Sequence, residues 1–157
     1  MHFKLGKRAD YAVRAMLVLA HPGRPGRRKA REIADEMAIP ETFVPQILAE
    51  LVRAGLASSH AGPDGGYSLA RPAQDISLLD AVEAVEPHVR STECILRGGP
   101  CRWDDRCAVH EPWARGQDAL LDELAATSFA ELARSDAELA RADAEAGGAA
   151  ATADSAE

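Results

Sequence analysis

AREIADEMAIPETFVPQILAELVRAG, residues 30–55, carries the clearest helical pattern in this 157-residue chain. Its apolar side chains recur at helical spacing in two runs: Ala30, Ile33, Ala34 and Met37, then Val44, Ile47, Leu48 and Leu51. Between the runs lies Ala38-Ile39-Pro40, a short link with a proline suited to a helix start. Two short helices joined by such a link form a helix-turn-helix. The pattern therefore predicts this motif.

The flanking segments predict an earlier helix and a β-hairpin. One face of the earlier helix holds Ala12, Ala15, Met16 and Leu19. The stretch HPGRPG, residues 21–26, ends this helix because it contains two prolines and two glycines. Gly55 is placed to end the last helix of the motif, and residues 56–60 and 67–69 are predicted strands around the turn AGPDGG. We therefore expect a mainly α fold, a winged helix-turn-helix with a small β-hairpin wing.

Two capping boxes predict helix starts in the second half of the chain. Ser77 precedes Asp80 by three residues, and Ser128 precedes Glu131 likewise. We divide the chain into a DNA-binding domain over 1–86, a cysteine-rich loop over 87–110, a long helix with a short terminal helix over 111–135, and a tail over 136–157. The tail is predicted to be disordered, or a frayed helix, because its composition, dominated by Ala, Asp, Glu and Gly, offers little to bury.

Composition and charge indicate a cytoplasmic protein with a basic binding half. The chain is 46% hydrophobic, and we find neither an apolar run long enough to span a membrane nor a signal-peptide pattern. The net charge of −7 is unevenly distributed. Residues 1–71 carry 11 Lys and Arg against 7 Asp and Glu, whereas residues 72–157 carry 7 against 18. This asymmetry favours a basic interaction surface joined to an acidic remainder.

All three cysteines lie in CILRGGPCRWDDRCAVH, residues 94–110. In a reducing compartment, clustered cysteines indicate metal or redox chemistry rather than disulfides. The gaps are wider than the close Cys pairs of structural zinc sites, and they suit an iron–sulfur cluster better. Zinc, a metal-free thiol relay and unrelated reduced cysteines stay open as alternatives. A Cys107/His110 enzyme is a weaker alternative, because no oxyanion-hole motif is evident; we expect no enzyme.

Four motifs resemble those of one family. They are RADYAVRAM at 8–16, IPETFV at 39–44, GPDGGYSLA at 62–70, and the three spaced cysteines. Over about residues 3–134 the chain resembles the Rrf2 family of winged-helix iron–sulfur transcriptional regulators. The resemblance implies a homodimer, paired through the long C-terminal helix, that binds palindromic double-stranded promoter DNA and acts as a repressor. It also implies a cluster whose state, set by redox conditions, nitric oxide or iron–sulfur supply, switches DNA affinity.

The resemblance also implies the ligands of that cluster. Cys94, Cys101, Cys107 and His110 match the ligand pattern of IscR-type members, which hold a [2Fe–2S] cluster. The alternative fourth ligand is Asp10, which NsrR-type members offer from the partner subunit to a [4Fe–4S] cluster. We prefer His110, because its spacing to Trp113 is also of the IscR type.

The predicted DNA contacts lie on the recognition helix, the preceding basic loop and the wing. Thr42 and Gln46 are the expected base readers, because the N-terminal residues of a recognition helix lie nearest the bases. The other predicted DNA-binding residues are Arg28, Lys29, Arg31, His60, Gly65 and Gly66. The chain departs from the family at Pro45, where IscR-type members have a glutamate, and at Ala61, where the family commonly has a wing arginine. Pro45 predicts loss of the contact that distinguishes a second class of DNA site, and Ala61 predicts weaker or differently specified DNA binding.

Overall fold

The computed structural model describes residues 5–86, 89, 94, 96, 98–100, 103 and 106–154, with side chains through 145. Its elements run in chain order as α1 (Lys7–Ala20), α2 (Ala30–Glu36), α3 (Val44–Arg53), β1 (Ala57–His60), β2 (Gly66–Leu69), a 3-10 turn (Ala73–Asp75), α4 (Leu78–Val85), α5 (His110–Ala126) and α6 (Phe129–Asp154). The predicted winged helix-turn-helix is confirmed, with α2 and α3 as its two helices.

The apolar periodicity of the sequence forms the core. On α1 and α3 every predicted core position is buried, and on α2 Ile33 and Ala34 are buried while Ala30 and Met37 pack at the edge. Pro45 lies in the first turn of α3, where its missing N–H leaves no hydrogen bond unmade. Gly55 follows α3 with φ +72°, the left-handed conformation that glycine adopts without strain.

The wing is an antiparallel hairpin whose register pairs Ala57 with Leu69 and His60 with Gly66. A third segment extends it, because Arg28 forms an isolated antiparallel bridge with Tyr67. The Arg28 N–H donates to the Tyr67 carbonyl, and the Tyr67 N–H donates back, both at 2.8 Å. The predicted hairpin is therefore confirmed, and it joins the loop that precedes α2.

The second half of the chain is joined to the first by backbone pairing. The Leu78 N–H donates to Thr127 O at 2.8 Å, and the Phe129 N–H donates to Ile76 O at 2.9 Å. Both predicted capping boxes form beside this junction: Ser77 with Asp80, and Ser128 with Glu131. The side chain of Phe129 is fully buried in the core. Thus α6 contributes to the core of the DNA-binding domain, although it lies in a separate predicted segment.

Helix α6 forms the end of the described chain. The sequence predicts a short terminal helix followed by a disordered tail or a frayed helix over 136–157, and α6 is 26 residues long and continues to Asp154. Its first turns pack on the protein through Phe129, Ala133 and Ala137. Beyond them the sequence is rich in alanine, which has the highest helix propensity and extends a helix already begun. Within the described residues, no helix is both long enough and apolar enough to cross a membrane.

Candidate functional site

The two predicted base readers lie together on the surface. Thr42 is exposed in the turn before α3, and Gln46 is exposed in its first turns. The opposite face of α3 is fixed in the core, because Val44, Ile47 and Leu48 are each at most 3% exposed. This burial leaves Thr42 and Gln46 on the exposed side of the N-terminal end of α3, where a recognition helix is expected to meet the major groove.

Helix α1 contacts the helix-turn-helix at several points that the sequence analysis missed. The rings of Tyr11 and Phe43 lie 5.4 Å apart, and Phe43 is the residue just before α3. Arg14 Nη1 donates to the carbonyl of Met37, at the end of α2, over 3.1 Å. At the N-terminal end of α1, Arg8 forms an ion pair with Glu50 of α3. These contacts set the position of the recognition helix relative to α1.

The three basic residues predicted to bind DNA have different surroundings. The Arg31 side chain is 82% exposed and has only distant ion pairs, 3.9 Å each, to Asp35 and Glu41. Lys29 is also exposed. Arg28 is only 16% exposed, and its guanidinium already contacts two carboxylates of α2. Arg31 and Lys29 are therefore accessible to DNA, whereas Arg28 is committed within the protein.

The wing residues have structural roles beside their predicted contact with DNA. The His60 Nε2 atom lies 2.9 Å from the Ser68 hydroxyl across the hairpin. A Cβ at Gly66, whose φ is +145°, would lie 2.6 Å from the Arg28 carbonyl oxygen, and one at Gly65 would lie 2.7 Å from Gly62 O. Both positions therefore need glycine, because the backbone approaches too closely for any side chain.

Of the three cysteines, two lie within the described residues. Cys94 and Cys107 are half-buried, and Cys101 lies outside the described residues. The Cys94 N–H donates to Gly99 O at 2.8 Å, while the Gly98 N–H donates to Cys94 O at 2.7 Å. Gly98 and Gly99 have φ of +72° and +68°, conformations that glycine adopts without strain, and they close the loop on Cys94.

His110 is adjacent to Cys107, though the two do not share a helix. Its N–H donates to Cys107 O at 3.2 Å, and α5 begins at His110 itself. Cys107 and His110 are therefore joined by a turn that leads into the helix. The His110 side chain is exposed.

The rival ligand, Asp10, already has a partner. Its carboxylate accepts a hydrogen bond from Arg14 Nε at 2.9 Å, in a pair that is 41% exposed on each side. The four-residue spacing of Asp10 and Arg14 on one helix was a readable signal of this pair. Among the described residues, which exclude Cys101, no three His, Cys, Asp or Glu side chains converge as a metal site.

Helix α5, which follows the cysteine loop, has no buried residue in the single chain. Trp113, Gln117 and Leu120 lie along one side of it, around an apolar groove that also includes Gly116. Leu120 is 39% exposed, a large fraction for leucine on a helix of this length. This side of α5 is available for packing against another apolar surface.

The helix-turn-helix of α2 and α3, the β-hairpin wing and the basic loop before α2 together define a winged helix-turn-helix DNA-binding protein. The family model for Rrf2, described as an iron-dependent transcriptional regulator, matches residues 5–135. The chain therefore belongs to the Rrf2 family, and it is a DNA-binding transcriptional regulator.

Individual relatives agree with this assignment. The HTH-type transcriptional regulator IscR of Photorhabdus laumondii is 33% identical over 129 residues, which span 82% of this chain and 78% of that protein. The structure of T. potens IscR is 29% identical with a TM-score of 0.70, and the match covers 89% of this chain and 92% of that one. CymR (YrzC), the global cysteine regulator of B. subtilis, is 27% identical with a TM-score of 0.70, covering 85% and 98%. These relatives support a regulator rather than an enzyme.

Proposed function

We propose that this protein is a homodimeric repressor whose binding to double-stranded promoter DNA is switched by an iron–sulfur cluster. The proposed ligands are Cys94, Cys101, Cys107 and His110. The observation that carries the proposal is the position of the cysteine loop, which leads directly into α5 through the turn between Cys107 and His110. The match to IscR over most of the chain supports the same ligand chemistry.

The donor set fits such a cluster. Thiolate sulfur is the ligand that iron–sulfur clusters prefer, and a neutral imidazole can replace one thiolate. Cys94 and Cys107 are half-buried, so their thiolates are partly shielded from solvent while still accessible to a ligand. When bound, the cluster would supply a redox-sensitive group, and a histidine ligand would raise its potential and make it labile.

His110 is preferred over Asp10 as the fourth ligand because of their existing contacts. Asp10 is paired with Arg14, which also binds the carbonyl at the end of α2. Recruiting Asp10 to a partner's cluster would break this pair. His110 is exposed and needs no rearrangement of α1. A His110 ligand corresponds to the proposed [2Fe–2S] cluster, whereas Asp10 would correspond to [4Fe–4S].

A continuous set of contacts joins the cysteine loop, which is the proposed sensor, to the recognition helix α3. Helix α5 contacts α4 and ends at the backbone junction with residues 76–78. Helix α6 then packs against α1, and α1 contacts both helices of the helix-turn-helix. These packed elements give a change in the loop a route to α3.

The second candidate function is a metal-free, thiol-based sensor on the same DNA-binding fold. The structural match to CymR, named as a global cysteine regulator, favours it. In this alternative, Cys94, Cys101 and Cys107 would be oxidised and reduced directly, and His110 would have no ligand role.

Anaerobic purification with quantification of iron and acid-labile sulfide separates the two candidates. We expect brown protein with visible absorption and both elements present, and we expect Cys107→Ala to lose them. Ser58→Ala, a substitution on β1 far along the chain from the loop, serves as the control and should retain them. Colourless wild-type protein that contains neither element, but still binds DNA in a thiol-dependent manner, would support the CymR-like alternative instead.

A further inference from the structure

Arg28 connects the wing to helix α2 through its backbone and its side chain together. Its backbone exchanges two hydrogen bonds of 2.8 Å with Tyr67 in β2. The approach is so close that a Cβ on the neighbouring Gly66 would meet the Arg28 carbonyl. Arg28 therefore extends the hairpin by one bridge beside β2, the second strand of the wing.

The side chain of Arg28 extends in the other direction, to α2. Its Nη2 donates to Glu36 Oε2 at 2.7 Å, and its Nε lies 3.3 Å from Glu32 Oε2 without the geometry of a hydrogen bond. Glu32 also accepts the Lys29 N–H at the start of α2, and Glu36 also binds Arg24 at 3.0 Å. The wing and α2 are thus held together by one partly buried ionic network.

The charge of Arg28 is neutralised inside this network. Two arginines, Arg24 and Arg28, meet two carboxylates, Glu32 and Glu36, so the group has no net charge. A guanidinium with this degree of burial and pairing adds little attraction for phosphate. Arg31 differs in both burial and pairing, because its side chain is 82% exposed and its ion pairs are 3.9 Å long.

We propose that Arg28 acts as a positioning residue: its ion pair with Glu36 fixes the wing against α2 and so sets the contact of the wing with DNA. This inference rests on the proposed binding to promoter DNA and reassigns Arg28 within it. Phosphate attraction in the basic loop is then supplied by Arg31 and Lys29.

The experiment compares Glu36→Gln with Asp35→Asn, its matched control on the same helix. Both substitutions remove one negative charge, but Asp35 has only an exposed 3.9 Å pair with Arg31. The probe is the duplex that wild-type protein selects from a random-sequence library. We expect Glu36→Gln to weaken binding by about fivefold or more, and Asp35→Asn to leave it unchanged or tighter, because removing an acid near DNA reduces repulsion.

A second variant and a footprint guard against simple unfolding. Arg28→Lys keeps the positive charge but cannot reproduce the fork geometry of a guanidinium. It should weaken binding as Glu36→Gln does, and hydroxyl-radical protection should be lost only at the flanks, where the wing lies. Thermal unfolding of each variant would accompany these measurements.

The possible outcomes distinguish the positioning role of Arg28 from the proposed binding to promoter DNA. Unchanged or tighter binding by Glu36→Gln, equal weakening by Asp35→Asn, or full binding by Arg28→Lys would each overturn the role of Arg28. Failure of the wild-type protein to select any duplex would instead overturn the proposed function as a promoter-binding repressor.

Discussion

The two candidate fourth ligands, His110 and Asp10, differ in their existing contacts: Asp10 is paired with Arg14, whereas the His110 side chain is exposed. We expect His110→Ala to change the visible absorption and circular dichroism of anaerobically purified protein, because it removes a proposed ligand. Asp10→Ala should leave the spectrum unchanged, since its carboxylate is engaged by Arg14 at 2.9 Å. Comparing the two spectra at equal iron content is the measurement.

A neighbouring substitution controls for damage to the start of α5. Glu111→Ala removes only an exposed pair with Arg115, at 3.5 Å, and should keep the wild-type spectrum. The preference for His110 would be wrong if His110→Ala kept the wild-type spectrum while Asp10→Ala lost it.

Gln46 is the second residue with a specific prediction. Gln46→Ala should cost about 1–3 kcal/mol at one base position of the selected duplex, because a glutamine can bond an adenine edge twice. Competition between duplexes altered at single positions would measure this. Gln74→Ala, exposed in the 3-10 turn, is the control and should keep full preference. Equal preference at every position in Gln46→Ala would remove it from the base readers.

The sequence could predict the exposure of Thr42 and Gln46 but not the pairing of Arg28. Helical periodicity places Gln46 opposite Ile47 and Leu48, so its accessibility follows from local spacing. Arg28 looks like any loop arginine in the sequence, because its strand partner, Tyr67, is distant along the chain. Contacts made by tertiary packing alone leave no periodic signal.

At the level of elements, the start of α6 depends on the Ser128–Glu131 capping box. The Ser128 backbone N–H donates to the Glu131 carboxylate at 3.0 Å and lowers the pKa of that carboxyl below its ordinary value of 4.5. The lowered pKa means that Glu131 stabilises the fold above the pKa of the unfolded chain. This stability is lost as the pH falls through the folded-state pKa.

Two substitutions test this box by thermal unfolding. Ser128→Ala should cost about 1 kcal/mol at neutral pH, the usual loss of a helix cap. Glu131→Gln should reduce the acid sensitivity of unfolding below pH 4.5, because the ionisable group is removed. Acid sensitivity equal to that of wild-type protein would show that the box does not act through the ionised carboxylate.

Elements with strong apolar periodicity were predicted well, and those without it were not. Helices α1, α3 and α4 follow their buried faces closely, and both capping boxes form as expected. The length of α6 was missed because its distal part has helix propensity but little to bury. The start of α5 at His110 could not be predicted either, because the local sequence does not distinguish a loop turn from the first turn of a helix.

For the whole molecule, the exposed apolar side of α5 leads to a prediction about assembly. Leu120→Glu should yield monomers at concentrations where the wild-type protein is a dimer, because it places a charge in the proposed interface. Sedimentation velocity would measure this. Binding to a palindromic duplex should weaken as well, since each half-site would bind a separate monomer.

Ala119→Glu is the matched control, because Ala119 lies away from the apolar side of α5 and is exposed. It should remain dimeric. The proposed interface would be contradicted if Leu120→Glu dimerised as strongly as wild-type protein.

The family could be recognised from the sequence because four motifs occur in the right order. The junction between the two halves of the chain could not be predicted from the sequence. Phe129 enters the core of the DNA-binding domain, and residues 127–129 pair with residues 76–78. These contacts make the C-terminal helices part of one packed unit with α1. They also give the proposed sensing loop its route to the recognition helix.

The most direct test measures the affinity of one protein preparation for the selected duplex before and after anaerobic removal of its cluster. We predict that the two dissociation constants differ by about tenfold or more, and that Cys107→Ala has the affinity of the cluster-free form under both conditions. Equal affinities with and without the cluster would contradict the proposal that the cysteine loop switches DNA binding.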